Sequence, residues 1–119
     1  MREWMRTNRY AGCMLMAQFD IYRNPNPATC KAIPYLLDVQ NDLLDRLATR
    51  VVVPLVLAEE MGAAARVLNP KFIIEGVAVV MSTAELAGVS NRSLGNKVAS
   101  LKDRRGEIIA ALDFLITGI

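Results

Sequence analysis

The sequence predicts a mainly β domain of the α+β class: a small barrel-like or curved sheet followed by one C-terminal helix. Three observations predict it. Short β-rich runs recur between turn signals through most of the 119 residues. An apolar stripe with clear helical spacing occurs only near the C-terminal end. No repeat and no strand–helix–strand alternation intervenes, so a parallel sheet is not expected. The length suits one domain, and hydrophobic and charged fractions of 53% and 22% are those of a globular chain.

The elements follow in order. Residues 1–15 carry Arg2, Arg6, Arg9 and the only tryptophan, Trp4, without the uninterrupted apolar core of about 7–15 residues that a signal peptide needs. They read as a leader, loosely ordered or not native, and the folded domain is expected to span 16–119. Gln18 to Tyr22 alternates polar and apolar residues, a strand with Phe19 and Ile21 on one face. Asn24-Pro25-Asn26-Pro27 is a turn or loop. Pro34 to Val39 is a second strand. It runs into an acidic stretch, Asp38 to Asp45, which lacks the glycine and closing glutamate of a calcium loop. That stretch reads as a surface-facing loop with local Asx turns.

Arg50 to Leu57 is the best candidate for a central strand, with Pro54 marking an edge or a bulge. Ala58 to Arg66 suits a short helical turn, broken at Asn69-Pro70. Lys71–Ile74 and Val77–Met81 form a hairpin around Glu75-Gly76, where glycine supplies positive φ. Ala84 to Val89 is ambiguous, and Asn91 to Asn96 is a loop or edge strand. Asp103 to Ile116 is the clearest element. Ile108, Ile109, Leu112, Leu115 and Ile116 make one helical stripe, and burying five such side chains contributes roughly 7–15 kcal/mol gross. Asp103 is the expected N-cap and Gly118 the left-handed cap that ends the helix.

Composition also excludes. A net charge of +2 with scattered Lys and Arg gives no nucleic-acid footprint, and Lys102, Arg104 and Arg105 read as a solvated helix start. No apolar run approaches the roughly 20 residues of a spanning helix, so no membrane association is expected. Cys13 and Cys30 are too few for a disulfide framework and read as free thiols of a reducing cytoplasm. The chain has no histidine, which removes the commonest general acid/base and metal ligand. No catalytic residue, cofactor or metal is expected.

Three stretches resemble the CcdB toxin family. Met16-Ala17-Gln18-Phe19-Asp20-Ile21-Tyr22 is similar to its opening strand. Asp38-Val39-Gln40-Asn41-Asp42-Leu43-Leu44-Asp45, followed by Arg50-Val51-Val52-Val53-Pro54-Leu55, resembles its most specific signature. The third is the helix ending in Gly118-Ile119. The resemblance covers Met16 to Ile119 and implies an SH3-like barrel with a C-terminal α-helix, in a cytoplasmic homodimer. It implies the toxin half of a type II toxin–antitoxin pair that binds the A subunit of DNA gyrase and traps gyrase with cleaved DNA. It also implies a CcdA-like antitoxin that removes the toxin from gyrase. The pair would repress its own operon, with operator DNA contacted only through the antitoxin.

The family's closing Trp-Gly-Ile stands here as Thr117-Gly118-Ile119. The resemblance places the gyrase-binding surface on these three residues, on Asp113 of the opposite helix face, and on Asn41 and Leu43 of the acidic loop. Threonine buries less area than an indole, so the contact at residue 117 departs from the family's. Two alternatives accompany this reading. One is an endoribonuclease toxin of the MazF/Kid type on the same fold, for which Arg50 and Asp42 are conceivable acid/base groups. The other is a decayed toxin that retains only antitoxin binding.

Overall fold

The computed structural model of the protein describes residues 17–44 and 46–118. The expected leader, Cys13, Met16, Asp45 and Ile119 lie outside the described residues. Seven strands form one curled antiparallel sheet: β1 (Asp20–Arg23), β2 (Tyr35–Asp38), β3 (Thr49–Leu57), β4 (Lys71–Ile74), β5 (Val77–Met81), β6 (Ala87–Ser90) and β7 (Lys97–Ser100). A short helix, α1 (Ala58–Met61), follows β3, and α2 (Arg105–Thr117) ends the described chain. The sheet order is β4-β5-β3-β2-β1-β7, with β6 added beside β3. This curled sheet with its terminal helix is the SH3-like small barrel that the resemblance implies.

Register explains the core. Ile21 pairs with Leu37 and Leu37 with Val53, and all three side chains have 0% exposure. One pleat away, Tyr35, Leu55 and Met81 form a second buried row across β2, β3 and β5. Period-two alternation sends these side chains to the same face. Ile108 and Ala111 of α2 join that core, together with Phe19, Phe72 and Leu101.

Pro54 does not mark an edge. β3 is the central strand, pairing with β2 on one side. On its other side, Thr49–Val52 pair with β6 and Leu55–Leu57 with β5, so Pro54 sits where one partner hands over to the other. Its carbonyl accepts the Ser82 amide at 3.0 Å. A strand residue's N–H and C=O point to the same side, so the donor that proline lacks would fall at a gap in the ladder.

The hairpin turn is as expected: Glu75 and Gly76 have φ of 52° and 78°, the left-handed pair of a two-residue turn. Other boundaries differ. The helical turn after β3 stops at Met61, where Gly62 turns with φ of 75°. Ala87–Ser90 resolves the ambiguous stretch as a strand, and Asn91–Ser93 is a single 3-10 turn within a loop. β7 was not expected. It forms by pairing with β1 through a bulge between Ile21 and Tyr22.

Asp103 is not the N-cap. A 3-10 turn, Lys102–Arg104, precedes α2, and Arg104 occupies the cap position without a side-chain bond. The stripe is also narrower than expected. Ile108 and Ala111 are fully buried, Ile109 and Leu112 pack partly against the core, and Ile116 is 74% exposed. The buried line runs through 108 and 111. Ile116 lies about 80° round the helix from Ile108, at about 100° per residue, and in the last turn.

Candidate functional site

Several apolar side chains are exposed, Ile73 and Val67 among them, and the predicted site residues fall on two of these exposed features. The first is the end of α2. Gly118 adopts φ of 77° and ψ of 15°, and its N–H donates to the Phe114 carbonyl at 2.9 Å. That left-handed cap closes the helix on a defined turn. Thr117 Oγ1 donates to the Asp113 carbonyl at 2.7 Å, so Asp113, Thr117 and Gly118 share one turn. All three are exposed. The same turn presents Ile116 and Phe114, the latter 39% exposed. The helix end therefore projects apolar side chains from a capped, hydrogen-bonded turn.

The second is the 3-10 turn Asp42–Leu44. The Leu44 amide donates to the Asn41 carbonyl at 2.9 Å, and the Leu43 amide to Asn41 Oδ1 at 2.7 Å, an Asx turn as expected. Leu43 is 88% exposed, and Leu44 is half exposed. Asp42 Oδ1 accepts the Gln18 amide at 2.6 Å, tying the turn to the chain entering β1.

The acidic stretch is not wholly a surface loop. Asp38 and Arg50 both have 0% exposure. Arg50 Nε donates to Asp38 Oδ2 at 2.8 Å, and Nη2 lies 2.7 Å from the same oxygen without hydrogen-bond alignment. Nη1 has no hydrogen-bond partner among the described residues. Burial pushes the Asp38 carboxyl above its usual range, opposed by the Gln40 amide and Arg50. Arg50 is thus committed to Asp38 and sealed from solvent, while Asp42 is occupied by Gln18. The two groups conceivable as a ribonuclease acid/base pair do not form one.

Asp20 is buried on the same sheet face as Asp38, with Lys97 Nζ 3.3 Å from its Oδ1. Tyr22 is buried there too. Desolvation first, and then the Asp20 and Asp38 charges, push the Tyr22 phenol well above its ordinary value near 10. Burial and the Glu75 carboxylate, 2.7 Å from its hydroxyl, raise Tyr35 as well. The native state therefore holds phenol protons that the unfolded chain releases near pH 10, so stability falls as pH rises past that value. In urea titrations the wild-type midpoint should drop between pH 10 and 11, and Tyr22→Phe should drop less. An equal drop in both proteins would refute this assignment.

The basic helix start is not simply solvated. The guanidinium of Arg104 lies 4.8 Å from the Phe72 ring centroid and also pairs with Glu107, while that of Arg105 lies 5.9 Å from the Phe19 centroid. These cations cover core aromatics. Among the described residues Cys30 forms no disulfide, and it is partly exposed. Among the described residues no group of three or more His, Cys, Asp or Glu is placed to hold a metal. No described helix is long and apolar enough to cross a membrane.

Of the six predicted site residues, five are described, and they form two groups: Asp113, Thr117 and Gly118 on α2, and Asn41 and Leu43 on the turn. Phe114 and Leu44 were missed as surface residues, and Ile116, which the helical spacing places in the apolar stripe, is exposed. Phe114 carried a signal, because it falls outside the apolar stripe, where an aromatic on a docked helix has no core to enter.

A family model described as CcdB protein matches residues 18–118. Among solved structures, an endoribonuclease in complex with its cognate antitoxin from Mycobacterial species is similar, with a TM-score of 0.68 and 13% identity. The match covers 85% of this chain and 94% of that one. At that identity the likeness is one of fold alone.

Proposed function

The chain belongs to the CcdB family, and from that premise we propose that this toxin of a toxin–antitoxin pair acts on DNA gyrase without catalysing a reaction. In this reading it binds the A subunit and traps gyrase with cleaved DNA. The observation that carries the reading is the capped end of α2, where Ile116 stands 74% exposed beside Thr117 and Gly118. A fully buried isoleucine one stretch earlier anchors the helix, and the apolar residues of the last turn remain free for a partner. A poison of this kind needs no acid or base. It needs a rigid patch that binds one gyrase state better than the other. Asp113, Thr117, Gly118 and Ile119, with Asn41 and Leu43, would supply that patch.

The remaining assignments follow the family. The protein is proposed to be a cytoplasmic homodimer, whose two-fold axis would suit the symmetry of the gyrase A dimer. A CcdA-like antitoxin would be its second partner, and the two together would repress their operon, with the antitoxin making the DNA contacts. Likeness to an endoribonuclease keeps RNA cleavage as the outcome to test against. Purified protein incubated with gyrase, ATP and supercoiled plasmid, then denatured, should yield linear DNA, and labelled RNA should remain intact. RNA cleavage by contaminant-free protein, with no linear plasmid, would replace the gyrase reading.

A further inference from the structure

We propose that the buried pair Asp38–Arg50 and the buried Gln40 are positioning residues, which hold the exposed Asn41–Leu44 turn in the shape that meets gyrase. The inference rests on the reading that this turn belongs to the gyrase-binding surface, and it adds what shapes that surface.

The connection runs through named bonds. Arg50 fixes the Asp38 carboxylate through Oδ2. The other oxygen, Oδ1, accepts the Gln40 amide at 2.9 Å. Gln40 is 6% exposed, and its side chain works in both directions. Its Oε1 accepts the Val51 amide of β3 at 3.0 Å, and its Nε2 donates to the Leu44 carbonyl at 2.8 Å. Gln40 thus staples the far end of the turn to the central strand, while Asp38 fixes Gln40 itself. Residues 41–44 are all exposed, so burial of their own side chains does not hold them. Polar staples do.

Cost argues that the pair serves position rather than stability. Among the described residues, Arg50 Nη1 has no hydrogen-bond partner in a fully buried site. A buried pair with an unsatisfied donor recovers its desolvation penalty poorly, and apolar replacements of similar volume are often neutral or stabilising. A turn that samples other shapes binds more weakly by the fraction of time spent in the competent one.

The full chain tests this with three variants: the double substitution Asp38→Leu with Arg50→Met, Gln40→Met, and Leu43→Asp on the surface. Thermal melting, titration with the gyrase A breakage domain and amide exchange are the readouts. The double variant should melt at the wild-type temperature or above it, yet bind the breakage domain at least tenfold more weakly. Its Leu43, Leu44 and Val51 amides should exchange faster, with those of β4 and β5 unchanged. Gln40→Met should melt somewhat lower, because the Val51 amide and the Leu44 carbonyl lose their partner, but should show the same weakened binding and faster exchange, and it decides the matter if the double variant does not fold. Wild-type affinity in the folded positioning variants, while Leu43→Asp loses binding, overturns the positioning role alone. Wild-type affinity in Leu43→Asp overturns the turn's place in the surface, and the proposal with it.

Discussion

Deleting Gly118 and Ile119 is expected to abolish binding to the gyrase A subunit and trapping of cleaved plasmid, while the domain stays folded. The last turn of α2 carries little of the core. Ile116, Thr117 and Gly118 are exposed, and burial on this helix centres on Ile108 and Ala111. The deletion removes the Gly118 cap bond to Phe114, so the helix should fray by a turn at a cost of about 1 kcal/mol or less. Binding should suffer far more. A compact patch concentrates affinity in a few central residues, each worth about 2 kcal/mol or more, and losing two of them weakens association by roughly 1,000-fold or beyond. Full toxicity after the deletion would show that the helix end is not the site.

Ile108→Ala should act in the opposite sense, lowering stability severely. Ile108 has 0% exposure within a core shared by α2, Phe19, Phe72 and Leu101. Truncating a buried isoleucine costs about 2–5 kcal/mol through lost transfer energy and the cavity left behind. For a domain of this size that lowers Tm by roughly 10–25 °C. Ile116→Ala, on the same helix, removes the same atoms from an exposed position and should change stability by no more than about 0.5 kcal/mol. Gyrase binding should reverse the ranking at temperatures where both variants are folded: Ile116→Ala weakened, Ile108→Ala retained. Equal melting temperatures for the two variants would contradict the division of α2 into an anchoring half and a presenting end.

That division shows where the sequence was legible and where it was not. Helical spacing located α2, and Gly118 marked its end, because both signals are local. Spacing alone cannot say where the sheet stops, so the apolar stripe includes Ile116 although that residue lies past the buried stretch. The β4–β5 hairpin was legible for the same local reason: Glu75-Gly76 can adopt two positive φ angles in succession. β7 was not, because Lys97-Val98-Ala99-Ser100 has weak β propensity and owes its conformation to pairing with β1. Pro54 argued for an edge until the strand proved to change partners at that residue.

Charge was the hardest feature to read. Asp38 and Arg50 lie 12 residues apart, and nothing local distinguishes them from solvated side chains. Only the β2–β3 register, with Asp38 opposite Val52, brings Asp38 to the strand face that Arg50 shares. Asn41 and Leu43 were identified through resemblance to the family, since an exposed leucine in an acidic loop carries no signal of its own. The helix end rests on the same resemblance.

On the proposed function, this domain recognises gyrase A through the apolar tip of α2. Calorimetric titration of the gyrase A breakage domain with the purified, folded protein tests it most directly. Saturable binding is expected, one toxin dimer to one breakage-domain dimer, and it should be lost when Gly118 and Ile119 are removed. No binding at tens of micromolar by protein that melts cooperatively, or saturable binding that survives the deletion unchanged, would contradict it.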